Sequence, residues 1–141
     1  MELDSARLCE ICEKYGIDVV VQFGSSVQGA DRPSSDLDIA VHLEAYDGQC
    51  DILGLICDME GLFKRNVDLV VLNRVGSDTL RHEIFKHGRP LYDPADQFIS
   101  LKVEAFMRFG DSEYLRRVRT EALRKYIQRL ENSYLPAAWE M

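Results

Sequence analysis

Apolar positions recur along this chain at two spacings, one helical and one extended. Residues 3–15 carry Leu3, Ala6, Leu8, Ile11 and Cys12 on an approximate helical stripe, and Gly16 follows as a C-cap. The β-branched run IDVVVQF (17–23) reads as a buried strand. A turn-rich connection, GSSVQGADRPSS (24–35), leads to a second strand, DLDIAVHL (36–43). Strand alternation there puts Asp36, Asp38, Ala40 and His42 on one face and Leu37, Ile39, Val41 and Leu43 on the other. Ile52, Leu55, Ile56, Met59, Leu62 and Phe63 then form the apolar stripe of an amphipathic helix. VDLVVL (67–72) is a third buried strand. Ser77 or Asp78 caps a helix that ends at Gly88, and RPLY (89–92) is a short extended piece. From Pro94 to about Tyr134 the pattern is helical again, through Phe98, Leu101, Ala105 and Phe109, then Leu115, Val118, Ala122, Leu123, Tyr126, Ile127 and Leu130. Gly110 and Asp111 divide it in two. The predicted order is α-β-turn-β-α-β-α-β-α-α. It describes an α/β (α+β) fold, a small sheet flanked by helices with a C-terminal helical extension. One domain over 1–141 is expected, with an α/β core over about 1–93 and C-terminal helices over about 94–135.

Composition narrows the class. A chain of 141 residues is long enough for one real core, and 46% hydrophobic with 29% charged residues excludes a disordered segment. No apolar run approaches the roughly 20 residues of a membrane span, and the mixed, acidic N-terminus does not resemble a secretory signal; a cytoplasmic location is expected. The net charge of −7 argues against binding nucleic acid through the overall field, which needs clustered Lys and Arg. It leaves room for a nucleotide held through metal ions, because a divalent cation inverts the local sign. Cys9 and Cys12 form a C-x2-C, but Cys50 and Cys57 do not repeat it and no His lies beside them. The four thiols are read as reduced and structural, with Cys9 and Cys12 sharing a helix face.

The chemistry concentrates where the second apolar strand begins. Asp36 and Asp38 are spaced to project from the same face of that strand. Left unpaired they repel each other; Mg2+, which takes one or two carboxylates plus substrate phosphate oxygens, removes that cost. Asp68 stands inside VDLVVL, where packing does not call for an acid. With strand 3 beside strand 2, Asp68 reaches the same face, and three carboxylates suffice to hold two metal ions for an in-line displacement at phosphorus. After strand 1, Gly24 lets backbone N–H groups approach an anion, with Ser25 beside it. Neither a P-loop Gly-Lys-[Ser/Thr] nor a G-x-G-x-x-G is present, so phosphates fall to backbone, the Ser25 hydroxyl and metal. No His stands in a recognisable relation to Ser25 as a nucleophile. His42 reads as a half-buried, satisfied histidine, and His82 and His87 as solvated or capping residues. Arg81, Arg89 and the run Arg116, Arg117, Arg119, Arg124, Lys125 and Arg129 suit an ATP or acidic-partner contact, or a solvated helix face. Asp31 and Arg32 belong to the loop.

Gly24-Ser25, ten residues, then Asp36-Leu37-Asp38 resembles the G-S-x10-D-x-D signature of the DNA polymerase β-like nucleotidyltransferases, and Asp68 matches their third carboxylate. The segment VDLVVLNRVGSDTLRHEIFKHGRPLYD further resembles the minimal nucleotidyltransferases, and within these the chain is most similar to the MntA-type antitoxins encoded with HEPN-domain ribonuclease toxins. The resemblance covers roughly residues 17–130. It implies that Gly24, Ser25 and Ser26 contact nucleotide phosphates, that Asp36 and Asp38 hold both Mg2+ ions, and that Asp68 holds the ion nearer the attacking hydroxyl and helps deprotonate it. It also implies transfer of AMP from ATP to a hydroxyl, in the antitoxin branch a tyrosine of the toxin, and an assembly of the chain with that toxin. Many relatives carry an Arg or another large polar residue where this chain has Ser26. Two other readings stand beside this one: an antitoxin that occludes its toxin without catalysis, and a small-molecule nucleotidyltransferase of the aminoglycoside-modifying kind. The short chain after the core favours a macromolecular acceptor over the latter, and a template-dependent polymerase fits least.

Overall fold

The computed structural model describes residues 3–24, 36–110 and 112–133. Its elements are α1 (Ser5–Tyr15), β1 (Ile17–Phe23), β2 (Leu37–Leu43), α2 (Ile52–Phe63), β3 (Val67–Val71), a single 3-10 turn (Leu72–Arg74), α3 (Asp78–His87), β4 (Arg89–Tyr92), α4 (Phe98–Phe109) and α5 (Ser112–Ser133). The predicted order is present, with the 3-10 turn added. The strands form one mixed sheet in the order β3-β2-β1-β4. β1 runs antiparallel to β2 and β4, whereas β2 and β3 are parallel. A parallel pair needs a crossover, and α2 supplies it.

Helices cover both faces. Leu37, Ile39, Val41 and Leu43 of β2 face α1 and α2, where they join Leu8, Ile11, Cys12, Leu55, Met59 and Phe63. Val19, Val21 and Ala40 face α3 and α4, joining Ile84, Phe85, Phe98, Ala105 and Phe106. The alternation read from DLDIAVHL is thus the alternation observed. α4 begins at Phe98 rather than at Pro94: Gln97 is its N-cap, and the Asp93 carboxylate before it accepts from the Gln97 N–H at 2.8 Å and the Phe98 N–H at 2.9 Å. The Asn73 side chain extends the sheet beyond β3: its amide donates to the Leu43 carbonyl at 3.0 Å and accepts from the Leu43 N–H at 2.9 Å.

One histidine departs from the sequence reading. His82, expected to be solvated or capping, is 3% exposed and stacked on Phe109 with ring centroids 4.0 Å apart. It lies one helical turn before Phe85 on the α3 face that α4 covers, so it packs as an aromatic. His87 is exposed and lies 3.8 Å from Glu83 one turn back. His42 is half-buried and meets Asp18 at 2.7 Å; Asp18 in turn accepts from Gln97 at 3.1 Å, tying the start of α4 to the sheet.

The four cysteines are free. Burial pushes Cys12 up to about 12 and also raises Cys9, so both stay thiols, the opposite of what a thiolate ligand or nucleophile requires.

α1 and α2 are clamped by Asp58, which accepts from the Tyr15 hydroxyl at 2.6 Å and from Lys14 Nζ at 3.1 Å. These two bonds hold its carboxyl below the usual range. A depressed carboxylate stabilises the fold above its ordinary pKa, and that contribution is lost as pH falls through the lower folded value. Asp58→Asn is therefore expected to lower the urea midpoint at neutral pH, by no more than about 1 kcal/mol, since the half-buried carboxylate and exposed Lys14 are partly screened by solvent. The two midpoints should converge on acidification below about pH 4. Parallel urea titrations at several pH values check this.

Candidate active site

Parallel pairing brings the acids together. Asp38 on β2 stands opposite Asp68 on β3 and, on the other side, opposite Phe23 on β1. Leu37, one residue earlier, donates its N–H to the Asn66 carbonyl at 2.8 Å, and the Val67 N–H donates to Glu60 Oε2 at 2.9 Å, so both strand starts are anchored. By strand alternation Asp38 and Asp68 lie on the α3–α4 side of the sheet, with Ala40 and Val70 beyond them. Asp36 immediately precedes β2 and is exposed; Asp38 is half-buried and Asp68 exposed.

Electrostatics single out Asp38. Burial raises its carboxyl above the ordinary value, and the charges of Asp68 and Asp36 and a hydrogen bond with Asp68 raise it further. Carboxylates this close repel each other, a cost that a cation among them would remove. Among the described residues, no group of three or more His, Cys, Asp or Glu side chains encloses a ready-made metal cage. The acids form an open row instead. An all-oxygen row open on one side suits Mg2+, which keeps waters and completes its shell with substrate phosphates.

Gly24 closes the end of β1 with φ +79°. A Cβ there would overlap the Asp38 carboxylate, with Cγ at 2.9 Å. The residue is glycine for two reasons: the left-handed backbone, and the space Asp38 takes. Sequence reasoning assigned Gly24 to the phosphates and missed this contact, which no local pattern signals. Ser25 and Ser26, expected beside it, lie outside the described residues, as do Asp31 and Arg32.

Two arginines weighed for ATP serve elsewhere. Arg81 Nη2 donates to the Val75 carbonyl at 2.6 Å and secures the β3–α3 connection. Arg89 Nη2 donates at 2.9 Å to Gln22, which neighbours Ile39 in the register and so belongs to the face away from the acids. A cavity of about 330 Å3 lined by Lys14, Tyr15, Leu43, Glu44, Tyr46 and Cys50 sits at the opposite end of β2 from Asp38. Glu44, Asp47 and Asp51 also line it, but Asp47 and Asp51 are engaged locally, accepting from the Gln49 and Gly54 N–H groups, so the acids of β2 and β3 define the candidate site.

The comparisons bear on this arrangement. No curated protein sequence matches the chain. A chain from the crystal structure of a toxin-antitoxin with AMP-PNP is similar in fold, with TM-score 0.64 and 20% identity over 86% of this chain and 98% of that one. A chain of an MntA-HpeT toxin-antitoxin mutant gives TM-score 0.64 at 18% identity, over 86% of this chain and 98% of that one. A chain from the tri-AMPylated Shewanella oneidensis HEPN toxin in complex with MNT antitoxin gives 0.58 at 17% identity, covering 84% of this chain and 94% of that one. Residues 7–97, a span holding all three acids and Gly24, match the polymerase beta nucleotidyltransferase family. That match spans well over half of the chain, and the chain belongs to the polymerase beta-type nucleotidyltransferases.

Proposed function

We propose that this chain transfers AMP from ATP to a tyrosine hydroxyl of a HEPN-type toxin and thereby acts as its antitoxin. The observation that carries the reading is Asp38 in register with Asp68 on adjacent parallel strands, with Gly24 turning against them, in a nucleotidyltransferase chain. The partner is suggested by the likeness to chains of toxin-antitoxin structures, one of them with a tri-AMPylated HEPN toxin.

Asp36, Asp38 and Asp68 would hold two Mg2+ ions, whose chemistry is to neutralise phosphate charge and acidify the acceptor hydroxyl. Asp38, central in the row, fixes the phosphate end of ATP relative to the sheet. Asp68, on the exposed side, takes the proton of the incoming hydroxyl. The acceptor oxygen bonds to the α-phosphorus as the bond to the bridging oxygen breaks, and pyrophosphate leaves. Gly24, with Ser25 and Ser26 after it, presents backbone and hydroxyl donors to the phosphates. Positioning and charge stabilisation supply the rate, so no covalent enzyme intermediate is needed. The setting is the cytoplasm, where ATP and a ribonuclease target coexist.

The test is incubation of the purified chain with α-labelled ATP, Mg2+ and the HEPN-type protein encoded beside it. Label is expected on the partner, and is expected to vanish with EDTA. A partner that is bound and silenced without taking label would overturn the reading in favour of occlusion.

A further inference from the structure

α5 is unlike the rest of the molecule. It holds six of the chain's seventeen Lys and Arg, and three of its twenty-four Asp and Glu. The remainder of the chain is therefore strongly acidic and α5 is basic. α5 also carries large apolar side chains that nothing in the described chain covers: Leu123 is 58% exposed, Tyr126 56%, Ile127 45% and Leu130 37%. Their spacing of i, i+3, i+4 and i+7 places them in one stripe. A solvated helix face explains the arginines but not this stripe, because a 22-residue helix exposing four large apolar side chains in line exposes a contact surface. The opposite face of α5 anchors it to the body, which leaves the stripe turned outward. Val118, earlier on α5, packs against the core cluster beneath the α3–α4 side of the sheet, the cluster that Phe23 and Val70 also pack against. Phe23 is the register partner of Asp38, and Val70 follows Asp68 on the same face.

We propose that the exposed stripe of α5, continued by Arg116 and Arg119 and bordered by Arg124, is the docking surface for the acceptor protein, and that the acceptor presents an apolar groove rimmed by carboxylates. This rests on the protein-acceptor reading above. Charge selects the occupant. Arg119 lies one turn before Leu123 on the stripe itself, so a second copy laid α5 on α5 would gather like charges in its seam. Docking α5 onto the acidic body of a second copy would be heterologous and would propagate into open chains. RNA would use the arginines but leave Leu123, Ile127 and Leu130 without a role, against a net charge of −7. An acidic groove on a protein uses both components, and a helix in a groove is read through such i, i+3, i+4 and i+7 anchors.

The test uses the full chain with the HEPN-type protein encoded beside it. Leu123→Glu with Ile127→Glu alters exposed positions, and circular dichroism verifies the fold. The double variant is expected to lose about 100-fold in affinity for the partner by calorimetry and in kcat/KM for labelling, the loss falling on KM, while Mg-ATP binding is kept. Arg116→Glu with Arg119→Glu is expected to slow association at least about 10-fold at low salt and to flatten its salt dependence. Binding and labelling within about threefold of wild type in both variants would overturn the proposal. So would a wild-type dimer in sedimentation that the Leu123→Glu and Ile127→Glu variant abolishes, or tRNA binding tighter than partner binding and lost with the arginines. A wild-type chain that binds the partner through α5 but does not label it would sink AMP transfer and leave the docking surface standing. A wild-type chain that does neither would sink both.

Discussion

Asp38→Asn is expected to cut AMP transfer at least about 1,000-fold and yet to raise the melting temperature of the metal-free protein. The loss follows from taking the central carboxylate out of the row, a larger perturbation than disturbing an outer-shell group, which costs 10–100-fold. The gain follows from the strain on Asp38. Its carboxyl is raised first by burial and then by Asp68 and Asp36, so the folded state holds its proton more tightly than the unfolded state does. Stability from this group is then greatest below the ordinary carboxylate range and falls as pH rises through the raised folded value. The amide keeps the shape and removes one like charge. Relief of about 1 kcal/mol corresponds to roughly 4 °C for a domain of this size. Thermal melts in EDTA at pH 7 and pH 4 check both parts: the variant should melt higher at pH 7, and the gap should narrow at pH 4. Added Mg2+ should raise the wild type more than the variant. A variant that melts lower in EDTA at pH 7 would show that the acid row supports the fold rather than straining it.

Gly24→Ala is expected to damage fold and activity together. An alanine at φ +79° pays about 1–2 kcal/mol for its backbone alone. The added methyl must also displace the Asp38 carboxylate, which it would otherwise overlap. A displacement of about 1 Å at a reacting site costs on the order of 100-fold, so transfer should fall by at least that much. Gly16→Ala is the control. Gly16 has φ +70°, and a Cβ there meets nothing within 4 Å. It should share the backbone penalty and keep full activity. Urea midpoints together with labelling rates separate the two effects. Equal activity losses in both variants would show that Gly24 matters through stability alone.

The difference between these two glycines shows where sequence reasoning reaches its limit. Both are left-handed, and both sit at the end of an element as the pattern suggests. Which of them touches an acid depends on β1 and β2 pairing so that Phe23 meets Asp38, a contact across fifteen residues of chain. His82 teaches the same lesson: its own helix looks solvated there until α4 folds over it. The stripe of α5 teaches the converse, because its periodicity is that of a buried helix and yet no described element covers Leu123 or Ile127.

By itself the sequence determined the strands, from their β-branched runs and period-two alternation. It determined the helices, from their stripes and caps at Gly16, Ser77 and Gly110. It also set the three acids apart as residues that packing could not explain. These are local properties, written in neighbouring residues. Only the tertiary structure decided that Asp38 and Asp68 share a register, that Gly24 is shaped by a carboxylate as well as by its own turn, and that α5 leaves its apolar face uncovered. Those depend on which distant surfaces meet, and a linear pattern of apolar and polar positions records that a face wants a partner without recording which one.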